Sequence, residues 1–167
     1  MENRRPQRTW KVWQLVVGLL LVVGGTVGFI LAVSGVFNDP KAEISAEYLC
    51  GENCDGEYIE LSPAEYSSLI DEKKSFVVFV DQDGCTTADT LEGYVRDFAA
   101  TRGFKVFRMM FSDVKKTSLY DFVKYYPSVA VMSNGKVIGW LRADADEDAA
   151  AYNNYDDFLG WVEGCLK

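Results

Sequence analysis

The chain has 167 residues, of which 49% are hydrophobic and 25% are charged, a composition typical of a folded domain. Its net charge of −8 argues against nucleic-acid binding, because contacts with a phosphate backbone depend on clustered lysine and arginine. The absence of histidine excludes histidine-dependent catalytic dyads and histidine-ligated metal sites. We predict neither a cofactor nor a bound metal.

The N-terminal segment is predicted to cross a membrane once. Residues 1–11 form a basic tail, and residues 12–37 contain no charged residue. At about 1.5 Å per residue, a helix over this run is long enough for the roughly 30 Å hydrocarbon core. Positively charged tails stay in the cytoplasm, so the rest of the chain is predicted to lie outside the cell membrane.

Two further interpretations of this segment remain open. A signal peptidase could cleave at the small residues Ala32-Val33-Ser34, although the apolar part of a signal peptide is only about 7–15 residues long. Gly24 and Gly28 have the spacing that lets two membrane helices approach closely, which would give a homodimer, but glycine is also common in such helices. Cleaved or retained, the segment predicts that the domain is exported.

The next segment, 38–56, is predicted to be a linker. Residues 1–37 hold four basic and one acidic residue, so the remaining 13 basic and 24 acidic residues give the exported part a net charge of −11. Anionic lipid head groups would repel such a surface, and a linker would hold the acidic domain away from the membrane. Cys50 and Cys54 lie within this segment, and two close cysteines in an exported protein favour a structural disulfide. A redox-active pair, or pairing with other cysteines, is also compatible with the spacing.

The folded domain is predicted over residues 57–167. Residues 58–61 predict a short strand, and Ser62 and Glu65 form a capping box that starts a helix. Residues 76–80 are β-branched or aromatic throughout, as in a strand buried on both faces. Cys85 follows, where this strand gives way to an amphipathic helix that extends to about residue 100. A helix N-terminus favours a thiolate, because free N–H groups and the positive end of the helix dipole lie there.

The second half of the domain contains a predicted strand over 104–111, a short helix over 119–126, a hairpin around Asn134-Gly135 and a final helix over 155–166. Asn-Gly between two apolar strands is the strongest short-range hairpin signal. Strands that alternate with helices and end in an antiparallel hairpin predict a mixed α/β sheet with helices on both faces. Cys165 falls on the buried face of the last helix and is interpreted as a small core residue.

Two motifs together resemble the thioredoxin-like superfamily, over roughly residues 56–167. One is the strand, Cys85 and helix; the other is Tyr126-Pro127 followed by a strand, a tight turn and a second strand. The resemblance implies a thioredoxin-like fold, a cis Tyr126–Pro127 peptide bond, and an attacking role for Cys85. It also implies that Tyr126 and Pro127 bind an extended substrate segment, and that the other three cysteines lie at the end of the sheet away from Cys85.

The sequence departs from the family motif at residues 84–88. The family's Trp-Cys-Gly-Pro-Cys reads here as Gly-Cys-Thr-Thr-Ala, so the second cysteine, which releases the substrate, is absent. Cys85 could still form a mixed disulfide that an outside thiol or another cysteine of this chain resolves. Asp81, Asp83 and Asp89 lie nearby in sequence and disfavour a thiolate, which opposes the effect of the helix N-terminus.

Two functions remain open on these grounds. The first is a membrane-tethered protein that acts through a single thiol, Cys85, in thiol–disulfide exchange with cysteine-containing exported proteins. The second is a redox-inactive thioredoxin-like module that binds an extended peptide or serves as a scaffold in a membrane complex. The missing second cysteine favours the second function, and the position of Cys85 favours the first.

Overall fold

A computed structural model describes residues 41–50, 54, 58–84 and 86–167. These residues form a five-stranded sheet whose strands are β1 (Tyr58–Glu60), β2 (Phe76–Asp81), β3 (Val106–Met110), β4 (Ser128–Ser133) and β5 (Lys136–Trp140). The spatial order is β1-β3-β2-β4-β5. The first three strands in that order are parallel, whereas β4 and β5 are antiparallel to their neighbours. The predicted mixed sheet, closed by a hairpin, is confirmed.

Helices flank the sheet, namely α1 (Pro63–Asp71), α2 (Thr86–Arg102), α3 (Phe111–Val114), α4 (Ala149–Asn153) and α5 (Tyr155–Cys165). The predicted capping box is present at the start of α1, where the Ser62 side chain accepts from the Glu65 N–H and the Glu65 carboxylate accepts from the Ser62 N–H. No helix in the described part of the chain combines the length and the apolar character that crossing a membrane requires. The predicted tail and anchor, 1–37, lie outside the described residues.

The core has two layers, one on each face of the sheet. Strand β2 is buried along its whole length, and its residues alternate between the layers as the period of a strand requires. Val77 and Phe79 pack towards α2 and α5, whereas Phe76, Val78 and Val80 pack towards α1 and α3. The continuous apolar run of β2 is therefore explained by its burial on both faces of the sheet.

The predicted linker differs from the structure over residues 41–50, which pack on the domain. Ala42 is buried, and its N–H donates to the carbonyl of Cys165 at 2.7 Å. Tyr48 places its ring 4.9 Å from that of Phe107, and Leu49 forms a β-bridge with Phe104. These residues supply the main-chain partners that the ends of the neighbouring elements need, so they belong to the folded unit.

The segment before Pro127 also differs from the prediction. The strand predicted over 104–111 ends at Met110, because the short helix α3 begins at the next residue. The helix predicted over 119–126 is instead a single 3-10 turn, Ser118–Asp121. Tyr126 precedes a proline, and steric contact with the proline ring disfavours the helical conformation there. The chain therefore reaches Pro127 in an irregular conformation, which leaves Phe122 and Tyr125 exposed.

The turn between β4 and β5 depends on Gly135, and we expect Gly135→Ala to destabilise the domain by about 2–4 kcal/mol. Gly135 has a φ of +72°, and a Cβ atom there would clash with the main-chain carbonyl oxygen of Ile70. Urea unfolding of the full chain in detergent micelles measures the effect. Gly93→Ala is the matched control: Gly93 lies within α2 with open space around it, so alanine should stabilise by about 0.5–1 kcal/mol. Equal effects at both glycines would contradict this account of the turn.

Candidate functional site

The predicted nucleophile, Cys85, lies outside the described residues, but both of its neighbours are placed. Gly84 follows the end of β2 with a φ of +80°, a conformation that glycine adopts readily, and Thr86 is the first residue of α2. The backbone therefore passes from a buried strand to a helix N-terminus within this turn. The only residue between the two placed neighbours is Cys85.

Ala88 is the residue that replaces the second cysteine in the motif that the sequence resembles. It lies in the first turn of α2 and is 3% exposed, in contact with the core layer beneath that helix. An alanine methyl group fills the position without any group that could exchange a disulfide.

An ion pair joins the end of β2 to β3. Asp81 is buried, and its carboxylate accepts hydrogen bonds from two nitrogens of the Arg108 guanidinium, one of them Nε at 3.1 Å. This hydrogen bond is the main cause that raises the pKa of Arg108 above its usual value. Arg108 could not be recognised as a partner of Asp81 from the sequence, because the two residues are 27 positions apart and meet only through the pairing of β2 with β3. The Asp81 carboxylate is thus paired with a cation. The other two acidic residues near Cys85 in sequence, Asp83 and Asp89, are exposed.

The cis Tyr126–Pro127 peptide bond implied by the resemblance is present. The hydroxyl of Tyr152, from α4, donates to the carbonyl of Pro127 at 2.9 Å, and burial raises the pKa of Tyr152. The buried Ser128 hydroxyl donates to the carbonyl of Leu141 at 2.6 Å and so ties the start of β4 to the residue after β5. These two bonds fix the main chain on the C-terminal side of the peptide bond.

A groove of about 450 Å³ lies beside this bond and reaches Thr87, two residues after Cys85. Tyr126, Pro127 and Tyr152 form one part of its lining, and residues of the 143–149 loop form another. The fold thus brings the two predicted binding residues, Tyr126 and Pro127, close to the turn that contains Cys85. Within the described part of the chain, the main-chain N–H and carbonyl of Tyr126 form no hydrogen bond. They are available to pair with an extended segment.

The loop on the far side of the groove is closed by a pair between Arg142 and Asp148. The Asp148 carboxylate accepts from the Arg142 main-chain N–H and from Nε, both at 2.9 Å. The side-chain hydrogen bond from Arg142 is the main cause that lowers the pKa of Asp148 below its ordinary value of 3.8. A carboxyl group whose pKa is lower in the folded state stabilises that state at any pH above its pKa in the unfolded chain. This stabilisation is lost as the pH falls through the pKa of the group in the folded state. The Arg142–Asp148 pair therefore contributes to the stability of the folded loop at neutral pH.

Cys50 and Cys54 form the predicted disulfide, with Cα atoms 5.2 Å apart. The Cys50 N–H donates to the carbonyl of Gly103 at 2.8 Å, just beyond the C-terminus of α2, whereas Cys85 precedes its N-terminus. The 17 residues of α2 span about 25 Å, which is the approximate distance between the two ends of this helix. The disulfide lies at the end of the sheet away from Cys85, as predicted.

Cys165 is also at that end of the sheet. It is half-buried and packs against the core layer that includes α2 and α5, as expected for a small core residue. Its Sγ atom lies 2.6 Å from the position that a Cβ atom on Gly139 would occupy. Close to Cys165, Glu163 pairs with Arg102 at the end of α2.

We expect Tyr152→Phe to lower the free energy of unfolding by about 1–3 kcal/mol, because the buried Pro127 carbonyl would lose its donor. Thermal and urea unfolding of the full chain measure this change. Tyr155→Phe is the matched control, since the Tyr155 hydroxyl forms no hydrogen bond with any described residue. If both variants unfold like the unmodified chain, the Tyr152 hydroxyl does not support the Pro127 loop.

No protein-family model matches this sequence, and no curated protein sequence is similar to it. Among solved structures, thioredoxin f from spinach chloroplast in its long form superposes with a TM-score of 0.51 and 13% identity, covering 75% of this chain and 98% of that chain. The reduced Schistosoma mansoni thioredoxin pre-protein superposes with a TM-score of 0.50 and 14% identity, covering 66% of this chain and 99% of that chain. Together with the strand order and the cis-proline, these similarities show that the chain has the thioredoxin fold.

Proposed function

We propose that this protein is a membrane-tethered thioredoxin-like protein that uses the single thiol of Cys85 in thiol–disulfide exchange with exported proteins. The proposal is supported by the two chain neighbours of Cys85, since Gly84 follows β2 and Thr86 begins α2. The next residue, Thr87, lines the same groove as Tyr126 and Pro127. The tether and the extracytoplasmic location rest on the sequence of residues 1–37.

The proposed reaction has two exchange steps. The Cys85 thiolate attacks one sulfur of a substrate disulfide, a Cys85–substrate disulfide forms, and the other substrate sulfur leaves as a thiolate that takes a proton from water. A thiol from a second molecule then attacks the substrate sulfur of this mixed disulfide. Cys85 leaves as a thiolate, and the substrate carries the new disulfide. A cysteine at position 88 would instead attack the Cys85 sulfur and release the substrate as a thiolate. Alanine has no thiol for this attack, so the mixed disulfide persists until an outside thiol arrives.

The charges near the turn support a reactive thiol at Cys85. Arg108 neutralises the buried carboxylate of Asp81, so that carboxylate opposes a second negative charge less than the sequence alone suggests. Asp83 and Asp89 are exposed, and water and salt screen their effect. The free N–H groups at the start of α2 favour a thiolate at the preceding residue.

The second candidate is a redox-inactive binding or scaffold module. The buried alanine at position 88 favours it, because the internal step that releases substrate in the family is missing. Tyr126 in the groove lining, and Phe122 and Tyr125 shortly before it in the chain, are exposed aromatic residues, which are also suited to a binding surface. A module of this kind would bind an extended segment at Tyr126 and Pro127 without reacting.

Trapping of a mixed disulfide tests the proposal. The full chain in non-ionic detergent is mixed with a peptide whose single cysteine carries an aromatic thiol as a disulfide, and the product is analysed by intact mass and non-reducing peptide mapping. We expect one peptide per chain, attached to Cys85, and none on the Cys85→Ser variant. Cys165→Ser is the matched control and should react like the unmodified chain. A chain that binds the peptide but forms no adduct would favour the binding module.

A further inference from the structure

The loop that lines part of the groove carries two carboxylates. Asp144 and Asp146 both line the groove and are exposed. The nearest basic residue along the loop, Arg142, is engaged by Asp148 and Glu147. Among the residues that the structure describes, neither Asp144 nor Asp146 forms an ion pair. Their charges are therefore available to a ligand in the groove.

The rest of the groove lining is apolar or uncharged. Apolar surface comes from Pro127, the exposed ring of Tyr126, two alanines of the loop and Ala149 at the start of α4. No lysine or arginine is among the residues that line the groove. An apolar surface with carboxylates at its edge matches the side chains of lysine and arginine, which have an apolar stem and a cationic head. A glutamate or aspartate side chain in the same place would be repelled.

The turn that holds Cys85 has the same sign of charge. Asp83 precedes Cys85 by two residues, and Asp89 lies in the first turn of α2. Both aspartates are exposed. Exposed carboxylates are therefore present both next to Cys85 in sequence and in the lining of the groove. Complementary charge raises the rate of encounter, and the increase falls as salt is added.

We propose that the site selects cysteine-containing polypeptides that carry a lysine or arginine close to the reacting cysteine, with Asp144 and Asp146 as the residues that determine this specificity. The inference rests on the proposed function, since it names the substrate class of the Cys85 site. The exchange step is the one given above, and the basic side chain takes no part in the bonds that form and break. The basic side chain holds the substrate segment in the groove while the main chain of that segment lies along Tyr126.

Three matched peptides test the inference on the full chain in non-ionic detergent. They share one sequence and one activated cysteine disulfide, and they differ at a single neighbouring position, which is lysine, glutamine or glutamate. We expect the lysine peptide to form the Cys85 adduct about 10-fold faster than the glutamine peptide at low salt, with the glutamate peptide slower still. The preference should shrink in 0.5 M salt, a concentration at which the screening length is only about 4 Å.

Two double variants separate the local effect from net charge. Asp144→Asn with Asp146→Asn should remove most of the preference for lysine. Glu43→Gln with Asp71→Asn removes the same number of charges at residues outside the groove lining, and it should leave the preference unchanged. If the three peptides react at equal rates, the inference is overturned and the proposed function stands. If none reacts, the proposed function fails and the inference fails with it. A lysine preference that survives Asp144→Asn with Asp146→Asn also overturns the inference.

Discussion

Ala88→Cys is expected to shorten the lifetime of the mixed disulfide at Cys85 by at least about 100-fold. Position 88 lies in the first turn of α2, three residues after Cys85, so a thiol there would attack the mixed disulfide within the same molecule. The effective concentration of such a thiol far exceeds that of an external thiol at micromolar concentration. Rapid mixing of the variant with the activated peptide, followed by acid quenching and mass analysis, measures the lifetime.

Ala88→Ser is the control for this experiment. Serine adds an atom of similar size at the same buried position but cannot exchange a disulfide, so the adduct on this variant should last as long as on the unmodified chain. Any cost of the extra atom in the core appears equally in both variants. An adduct on Ala88→Cys that is as stable as on Ala88→Ser would show that Cys85 does not have the position at the start of α2 that the resemblance implies.

Phe158→Ala is expected to lower the free energy of unfolding by about 3–5 kcal/mol, the largest stability effect of the substitutions considered. Phe158 is 1% exposed, and its ring lies 6.1 Å from the ring of Phe98 and 6.1 Å from that of Tyr94. It therefore joins α5 to α2, the helix that begins next to Cys85. Urea unfolding of the full chain in micelles, followed by fluorescence, measures the change.

Phe122→Ala is the control for this prediction. Phe122 is 39% exposed, and its main ring contact is with Trp140 at 5.2 Å, so its removal should cost less than about 1 kcal/mol. Similar losses for the two phenylalanines would contradict the assignment of Phe158 to the core between the two helices.

Most of the fold could be predicted from the sequence, because the strongest signals in the sequence depend on residues close together in the chain. The apolar run of β2, the capping box at Ser62 and the Asn134-Gly135 turn each depend on residues that are close together in the chain. The structure places all three as predicted. The Cys50–Cys54 disulfide was predictable for the same reason, since only four positions separate the two residues.

The features that could not be predicted depend on contacts between distant residues. Residues 41–50 look like a linker in the sequence, and they become part of the domain only because Cys165 and Phe104 pair with them. The Arg108–Asp81 pair requires β2 and β3 to be neighbours in one register. In the sequence, Asp144 and Asp146 look like residues of a solvated loop, and only the fold places them in the same groove lining as Pro127.

Differential alkylation of the four cysteines tests the central claim most directly. The full chain is produced in an oxidising compartment and treated with one isotopic form of iodoacetamide before reduction and another after it, and the peptides are then mapped. We predict that Cys85 carries the first label, whereas Cys50 and Cys54 carry the second because they are joined to each other. A Cys85 that takes only the second label in the absence of a partner protein would mean that it is bridged within the chain, and would contradict the assignment of Cys85 as the exchanging thiol.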